Sequence, residues 1–314
     1  MRILITGSRG FVGGSVGRYA ARAGHEIVGI GRATQADVGW PGAYVSADII
    51  SSDLSGVVRE FAPDVVLHAA GTASVGASLQ SPLDDLRAAL LTWANTLDSV
   101  RRSGLRPLLL YASSAAVYGN PSTLPVGEDA PVRPISPYGF HKAACELLAH
   151  EYAECFALDI IVCRLFSVIG AAQQRLLAWE LYRQFAGDDS TVWLHGTGTE
   201  TRDYLHIDDV AAALLDMAAA RIEETDGGRG RCLVVNVASG EETSVLALAA
   251  QIGQFVAPRK EIRCQGLERA SDPRAWRADI TRLRSLAPRW RHRPLEQSLA
   301  ECIAEWKRVD ERGT

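Results

Sequence analysis

Tyr138 and Lys142 stand four residues apart in the stretch SPYGFHK, and the pair Ser113–Ser114 closes an apolar run, PLLLYAS, that comes before them. Residues at that spacing leave the same face of a helix, and Pro137 suits the helix's first position. An ammonium beside a phenol favours the phenolate and brings a Tyr toward a working range. Such a Tyr can take a proton from an alcohol while hydride leaves its carbon, or return one to a carbonyl. A serine hydroxyl at a strand end can hydrogen-bond the same oxygen. Ser114, Tyr138 and Lys142 together therefore suit alcohol/ketone redox chemistry, which needs a hydride carrier. A Tyr and a Lys at this spacing also occur on ordinary solvated helix faces, and His141 between them reads as part of such a face. The decision rests on what stands upstream.

Upstream, ITGSRGFVGG places Gly7, Gly10 and Gly13 directly after an apolar run and at the start of a helical pattern. Glycines there allow a tight turn and close approach of a pyrophosphate, which rests on the helix's first amides. Arg9, Phe11 and Val12 belong to the same loop and helix start and are counted with this cofactor site. At the end of the second apolar run, NAD sites usually carry an acidic residue for the ribose 2′-hydroxyl. This chain has Gly31-Arg32 instead. The glycine removes a carboxylate that would repel a 2′-phosphate, and Arg32 offers a planar donor fork, with Arg9 a second charge. The expectation is NADP in preference to NAD; a solvated Arg after an ordinary turn is the alternative.

The elements that must position these groups follow from the pattern of apolar runs. RILIT (2–6), EIVGI (26–30), YVSAD (44–48), VVLHAA (65–70), PLLLYAS (107–113) and DIIVCRL (159–165) read as buried strands. Helical patterns lie near 11–24, 52–61, 82–103 and 138–157. Continuous apolar strands alternating with helices predict an α/β fold, a doubly wound parallel Rossmann-like sheet of right-handed βαβ units. Later, RLLAWELYRQF (175–185), DDVAAALLDMAAA (208–220) and PLEQSLAECIAEWKRV (294–309) read as helices, CLVVNVA (232–238) as a strand, and GTGTETRD (196–203) and ETDGGRGR (224–231) as loops. Asp208 and Asp209 suit a helix start. The expected division is a dinucleotide-binding domain over 1–170, completed by parts of 205–240, and a smaller interleaved C-terminal substrate lobe over 171–314.

Composition bounds the rest. The chain has 314 residues, 47% of them hydrophobic, and a net charge of −4, so it can bury a large core and has no global attraction to nucleic acid or an anionic membrane. The six cysteines are scattered without metal-ligand spacing, which predicts no metal and buried free thiols in a reducing compartment. No signal-peptide pattern and no span-length apolar stretch is found, so a cytoplasmic protein is expected.

Together TGSRGFVG, DVVLHAAG, SSAAVYG, SPYGFHK, RLFSVIG, TETRDYLHIDDV and NVASGEETSV resemble the extended short-chain dehydrogenase/reductases, and within them the nucleotide-sugar epimerase/dehydratase group, over nearly the whole chain. The resemblance implies Ser114, Tyr138 and Lys142 as the catalytic trio. It places Asp48 and Ile49 near the adenine, and Ala69, Ala70 and Gly71 along the cofactor. A sugar diphosphate is then held by Arg202 and by Arg269 in RASDP, where Ser271 replaces the family's Gly. Ser167 faces the substrate, and dimers form through the helices near 82–103 and 138–157.

The chain departs from the family at Ser167, where an Asn is usual, at Ala171 in place of Pro, and at Ala89, where another Asn is expected. Ala115 and Ala116 stand where the family's sugar dehydratases place an acid, so elimination of water is not expected. Two routes remain. The SAAVYG wording points to an epimerase of a nucleotide-diphosphate sugar, while Gly31-Arg32 points to an NADPH-dependent ketoreductase of a nucleotide keto-deoxysugar. The epimerase is the leading expectation. A dinucleotide sensor without turnover, or a reductase of a non-nucleotide ketone or lactone, stays open. Trp193 reads as a base-stacking or a buried side chain and is not assigned to the site.

Overall fold

The computed structural model describes residues 1–224, 230–267 and 272–313. Its first half alternates β1 (Arg2–Thr6), α1 (Phe11–Arg22), β2 (Glu26–Gly31), β3 (Ala43–Ser46), α2 (Ser55–Phe61), β4 (Val65–His68), α3 (Val75–Gln80), α4 (Pro82–Leu86), α5 (Thr92–Ser103), β5 (Leu108–Ser114), α6 (Pro137–Phe156) and β6 (Ile160–Leu165). The second half carries β7 (Ser167–Ile169), α7 (Leu177–Ala186), β8 (Thr191–Leu194), β9 (Thr201–Arg202), β10 (Tyr204–His206), α8 (Ile207–Glu223), β11 (Cys232–Val237), β12 (Thr243–Ser244), α9 (Val245–Val256), β13 (Glu261–Cys264), α10 (Thr281–Leu286) and α11 (Leu295–Gly313).

Seven strands form one sheet in the order β3-β2-β1-β4-β5-β6-β11, and every pairing in it is parallel. Strand order reverses between β1 and β4, which opens a crevice at the carboxyl ends of those two strands. The apolar runs are unbroken because the sheet is covered on both faces. Along β1, Ile3 and Ile5 enter a core that includes Val210 and Leu214 of α8, while Leu4 enters the opposite core with Trp93 and Leu97 of α5. A third apolar cluster gathers α7, α9, β8 and α11 around Tyr182, Phe185, Leu248 and Trp306.

The expected doubly wound sheet is present, and several local expectations change. The single helix expected over 82–103 is broken by a π turn at Arg87–Leu91, a conformation that periodicity cannot distinguish from ordinary helix. Helix α9 was not anticipated; its start is marked by Ser244, whose Oγ accepts the Ala247 amide at 3.1 Å. The GTGTETRD loop contains the short strand β9. All six cysteines are unbridged, but Cys155 and Cys264 are exposed. They lie at the ends of α6 and β13, where the chain leaves the core. Among the described residues, no helix is long and apolar enough to cross a membrane and no cluster could hold a metal ion.

Candidate active site

The crevice floor is built by backbone contact. Gly7 has φ +71°, and a Cβ there would lie 2.6 Å from the Ala70 amide nitrogen and 2.7 Å from the Ala69 carbonyl. Gly13 approaches the Gly7 carbonyl so closely that a Cβ would stand 2.5 Å from it. These glycines let the loop after β1 touch the loop after β4, which brings Gly7, Gly10, Gly13, Ala69, Ala70 and Gly71 together. Helix α1 begins at Gly10 with no side-chain cap, so its first amides remain for a ligand's phosphates. Phe11 packs under Gly170, and Val12 joins the core behind the loop. The residues present therefore fit a dinucleotide.

The residues expected at the outer end of the cofactor surround the β2–β3 edge. Arg32 is exposed, and Arg9 donates from Nη1 to the Gln35 carbonyl at 3.2 Å. Asp48 is exposed, with its carboxylate accepting from the Ile50 amide, while Ile49 is buried. Gly31 has a neighbour that the sequence concealed. A Cβ there would lie 2.9 Å from the Tyr44 hydroxyl, which donates to the Ala33 carbonyl.

Ser114 ends β5 and caps a turn of 3-10 helix over Ala115–Tyr118, its Oγ accepting the Ala116 amide at 3.2 Å. That bond uses a lone pair and leaves the hydroxyl hydrogen to donate. Tyr138 and Lys142 do share a face of α6. Ser136 caps this helix, its Oγ accepting the Gly139 amide, and Gly139 comes so near the Ala116 carbonyl that a Cβ would stand 2.6 Å away. Helix α6 is thereby seated on the Ser114 turn. The buried Lys142 Nζ donates to the Ala112 carbonyl at 2.7 Å and lies 5.8 Å from the centre of the Tyr138 ring. The Tyr138 amide donates to Ser78 Oγ at 3.1 Å.

Sequence reasoning missed the support behind this trio. Glu146, one further turn along α6, accepts from Ser113 Oγ at 2.6 Å and from Arg164 of β6 at 2.7 and 3.1 Å. Arg164 also donates to the Tyr118 hydroxyl at 2.8 Å, and Tyr118 donates to Asn236 Oδ1 at 2.7 Å. Lys142 and Glu146 thus grip consecutive residues of β5. The four-residue step from Lys142 to Glu146 was the one signal that could have found it. His141 is not on a solvated face: its Nδ1 lies 2.5 Å from Asp85 Oδ2, whose other oxygen accepts from Thr72. Asp85 is buried, and the π turn that follows α4 brings Ala89 into the core where the family's Asn was expected.

His68, at the end of β4, is buried among Thr6, Thr92 and Thr96 hydroxyls, with Nδ1 2.9 Å from Thr6 Oγ1. Burial, and secondarily the Lys142 charge, push its pKa from 6.5 down to about 3. The unfolded chain therefore takes up a proton near pH 6.5 that the folded chain refuses until about 3. This group's stabilisation is complete above the unfolded value and is lost as pH falls, at up to about 1.4 kcal/mol per pH unit. Urea unfolding at several pH values should give a shallower acid loss for His68→Gln than for the parent. Equal slopes would refute the assignment.

Among the residues expected to face the substrate, Ser167 of β7 pairs with Tyr204 of β10, its amide donating to the Asp203 carbonyl. Arg202 lies across the face of Trp276, with 5.3 Å from its guanidinium carbon to the ring centre, and Nη1 donates to the Thr201 carbonyl. Burial depresses its pKa, opposed by Tyr204, Asp272 and Glu200. No carboxylate forms an ion pair with Arg202 among the described residues. Arg269 and Ser271 lie outside the described residues. Asp208 and Asp209 stand in the first turn of α8, where Asp209 binds Arg293 at 3.0 Å. Trp193 is 43% exposed, beside Arg263, so it is not a core side chain.

Comparison with known proteins agrees with the fold and shows the family. The model of the NAD dependent epimerase/dehydratase family matches residues 3–238. A UDP-glucose 4-epimerase of Mycolicibacterium smegmatis is 31% identical over 97% of each chain. The crystal structure of a UDP-glucose-4-epimerase from Stenotrophomonas maltophila with bound NAD and formylated UDP-arabinopyranose superposes over all of both chains, with a TM-score of 0.88 and 27% identity. MoeE5 in complex with UDP-glucose and NAD covers 98% of this chain and 99% of its own, with a TM-score of 0.86 and 26% identity.

Proposed function

The chain belongs to the NAD-dependent epimerase/dehydratase family, and on that premise we propose that it is a UDP-hexose 4-epimerase working through a 4-keto sugar. The observation that carries this reading is the seating of Tyr138, Lys142 and Ser114 together at the carboxyl end of β5, beside the glycine crevice. The bound dinucleotide supplies the hydride acceptor and donor. Tyr138 takes the proton from the sugar's 4-hydroxyl and returns it at the end of the cycle. Lys142, anchored on Ala112, holds positive charge near the phenol and favours its anion. Ser114 donates to the reacting oxygen. Ala115 and Ala116 are buried and apolar, so no added acid stands in this turn to drive elimination of water. Arg202, without a carboxylate partner among the described residues, takes the diphosphate.

The same reading extends to assembly and setting. Leu83 of α4, Leu91 of the π turn, and Phe140 and Leu147 of α6 are exposed, which suits a homodimer through these helices. Six unbridged thiols suit a reducing cytoplasm. The lobe formed by 171–314 apart from α8 and β11 holds the sugar nucleotide, and the sheet, completed by α8 and β11, holds the dinucleotide.

Incubation with UDP-glucose should yield a product of unchanged mass and altered mobility, with no net loss of reduced cofactor. Arg32 favours the second reading, an NADPH-dependent ketoreductase of a 4-keto-6-deoxy sugar nucleotide. That enzyme would give a product heavier by two hydrogens, with matching NADPH oxidation. Because solved structures similar over nearly the whole chain hold NAD, we assign NAD as the resident cofactor. Titration with both dinucleotides should favour NAD, and Arg32→Ala should weaken only NADP. A parent that prefers NADP would overturn the cofactor assignment.

A further inference from the structure

Resting on the assignment of Arg202 to the substrate diphosphate, we propose that Trp276 is a positioning residue that ties this arginine to the turn carrying Ser114. One side chain makes both contacts. The indole Nε1 donates to the Gly119 carbonyl at 3.0 Å, and Gly119 closes the turn that Ser114 opens. The ring face covers the Arg202 guanidinium at 5.3 Å. Covering that face removes it from water and leaves the edge donors for an anion; of these only Nη1 is engaged among the described residues, with the Thr201 carbonyl.

Trp276 is itself held firmly. It is 9% exposed and meets Phe166 edge-on at 6.1 Å, and Phe166 meets Tyr118 of the same turn at 6.3 Å. Its backbone amide donates to the Thr201 carbonyl at 3.2 Å, and the Ala278 amide donates to the buried Asp203 carboxylate at 3.1 Å. The next residue, Asp279, gives its carbonyl to Asn236 Nδ2, and Asn236 accepts from Tyr118. Arg202 and the Ser114 turn are therefore joined to one rigid strap. Trp276 fixes where the diphosphate sits relative to the Ser114 hydroxyl, and so aligns the sugar's reacting carbon.

The test uses the NAD-loaded enzyme, UDP as the binding probe, and turnover of UDP-glucose counted per NAD-binding site, so that unfolded protein drops out. Trp276→Phe keeps the ring face and loses the N–H. It should keep UDP affinity within about twofold while kcat falls about fivefold to tenfold, the loss of one buried hydrogen bond. Trp276→Leu loses both contacts and should also weaken UDP about tenfold. In an Arg202→Ala background, Trp276→Leu should weaken UDP no further. An unchanged kcat in Trp276→Phe, or additive losses of UDP affinity, would overturn the proposal. If Arg202→Ala weakens UDP and Trp276→Leu does not, the Trp276 link alone fails. If Arg202→Ala leaves UDP affinity unchanged, the diphosphate assignment fails and this proposal falls with it.

Discussion

Replacing Tyr138 by Phe should lower turnover about a thousandfold, the range expected when a positioned acid–base group is removed. The change deletes one oxygen and little else. The ring stays half-buried at the start of α6, and the Tyr138 amide keeps its bond to Ser78, because the side chain plays no part in it. Lys142 keeps its bond to the Ala112 carbonyl for the same reason. NAD affinity and thermal unfolding should therefore stay near the parent's while kcat collapses, with KM for the sugar nucleotide little changed. A variant retaining more than about a tenth of parental turnover would mean that another group moves the proton, since one acid–base group is worth more than that.

The second large effect is on stability. Arg164→Met removes the buried partner of Glu146 and should cost about 3–5 kcal/mol, because an uncompensated charge is left in the core. Burial works against the Arg164 charge, yet the hydrogen bonds and attraction of Glu146, with the Tyr118 oxygen, outweigh it and raise the guanidinium's pKa. Both side chains are buried, and the same carboxylate holds Ser113. Urea unfolding should register the loss. Making the change together with Glu146→Leu should recover much of it, since an apolar pair leaves no charge behind. A single variant as stable as the parent, or a double variant that recovers nothing, would show that the ion pair is not what the core depends on. Whatever folds should also turn over more slowly, because Ser113 precedes Ser114 on the strand that Glu146 steadies.

Local chemistry was legible in the order of residues. A strand followed by glycines and a helix start is a contiguous signal, and the structure has that turn at the carboxyl end of β1. The four-residue step from Tyr138 to Lys142 is fixed by helix geometry alone, so their common face was readable before any fold was known. Continuous apolar runs identified the strands of a sheet buried on both faces. The glycine turn and the placing of Tyr138 and Lys142 on one helix face needed little more than these.

What the sequence could not supply are contacts between residues far apart in the chain. The sequence suggested a cofactor reason for Gly31, but only β2–β3 pairing reveals the Tyr44 hydroxyl in the space a side chain would need. His141 was indistinguishable from a solvated residue until α4 brought Asp85 against it. Arg202 was expected as an anion clamp, but only the structure shows Trp276 reaching it and Gly119, across 157 residues of chain from the latter. Helical and strand periodicities report which way a residue faces; only packing decides what it meets there, and the support of this candidate active site is made of such meetings.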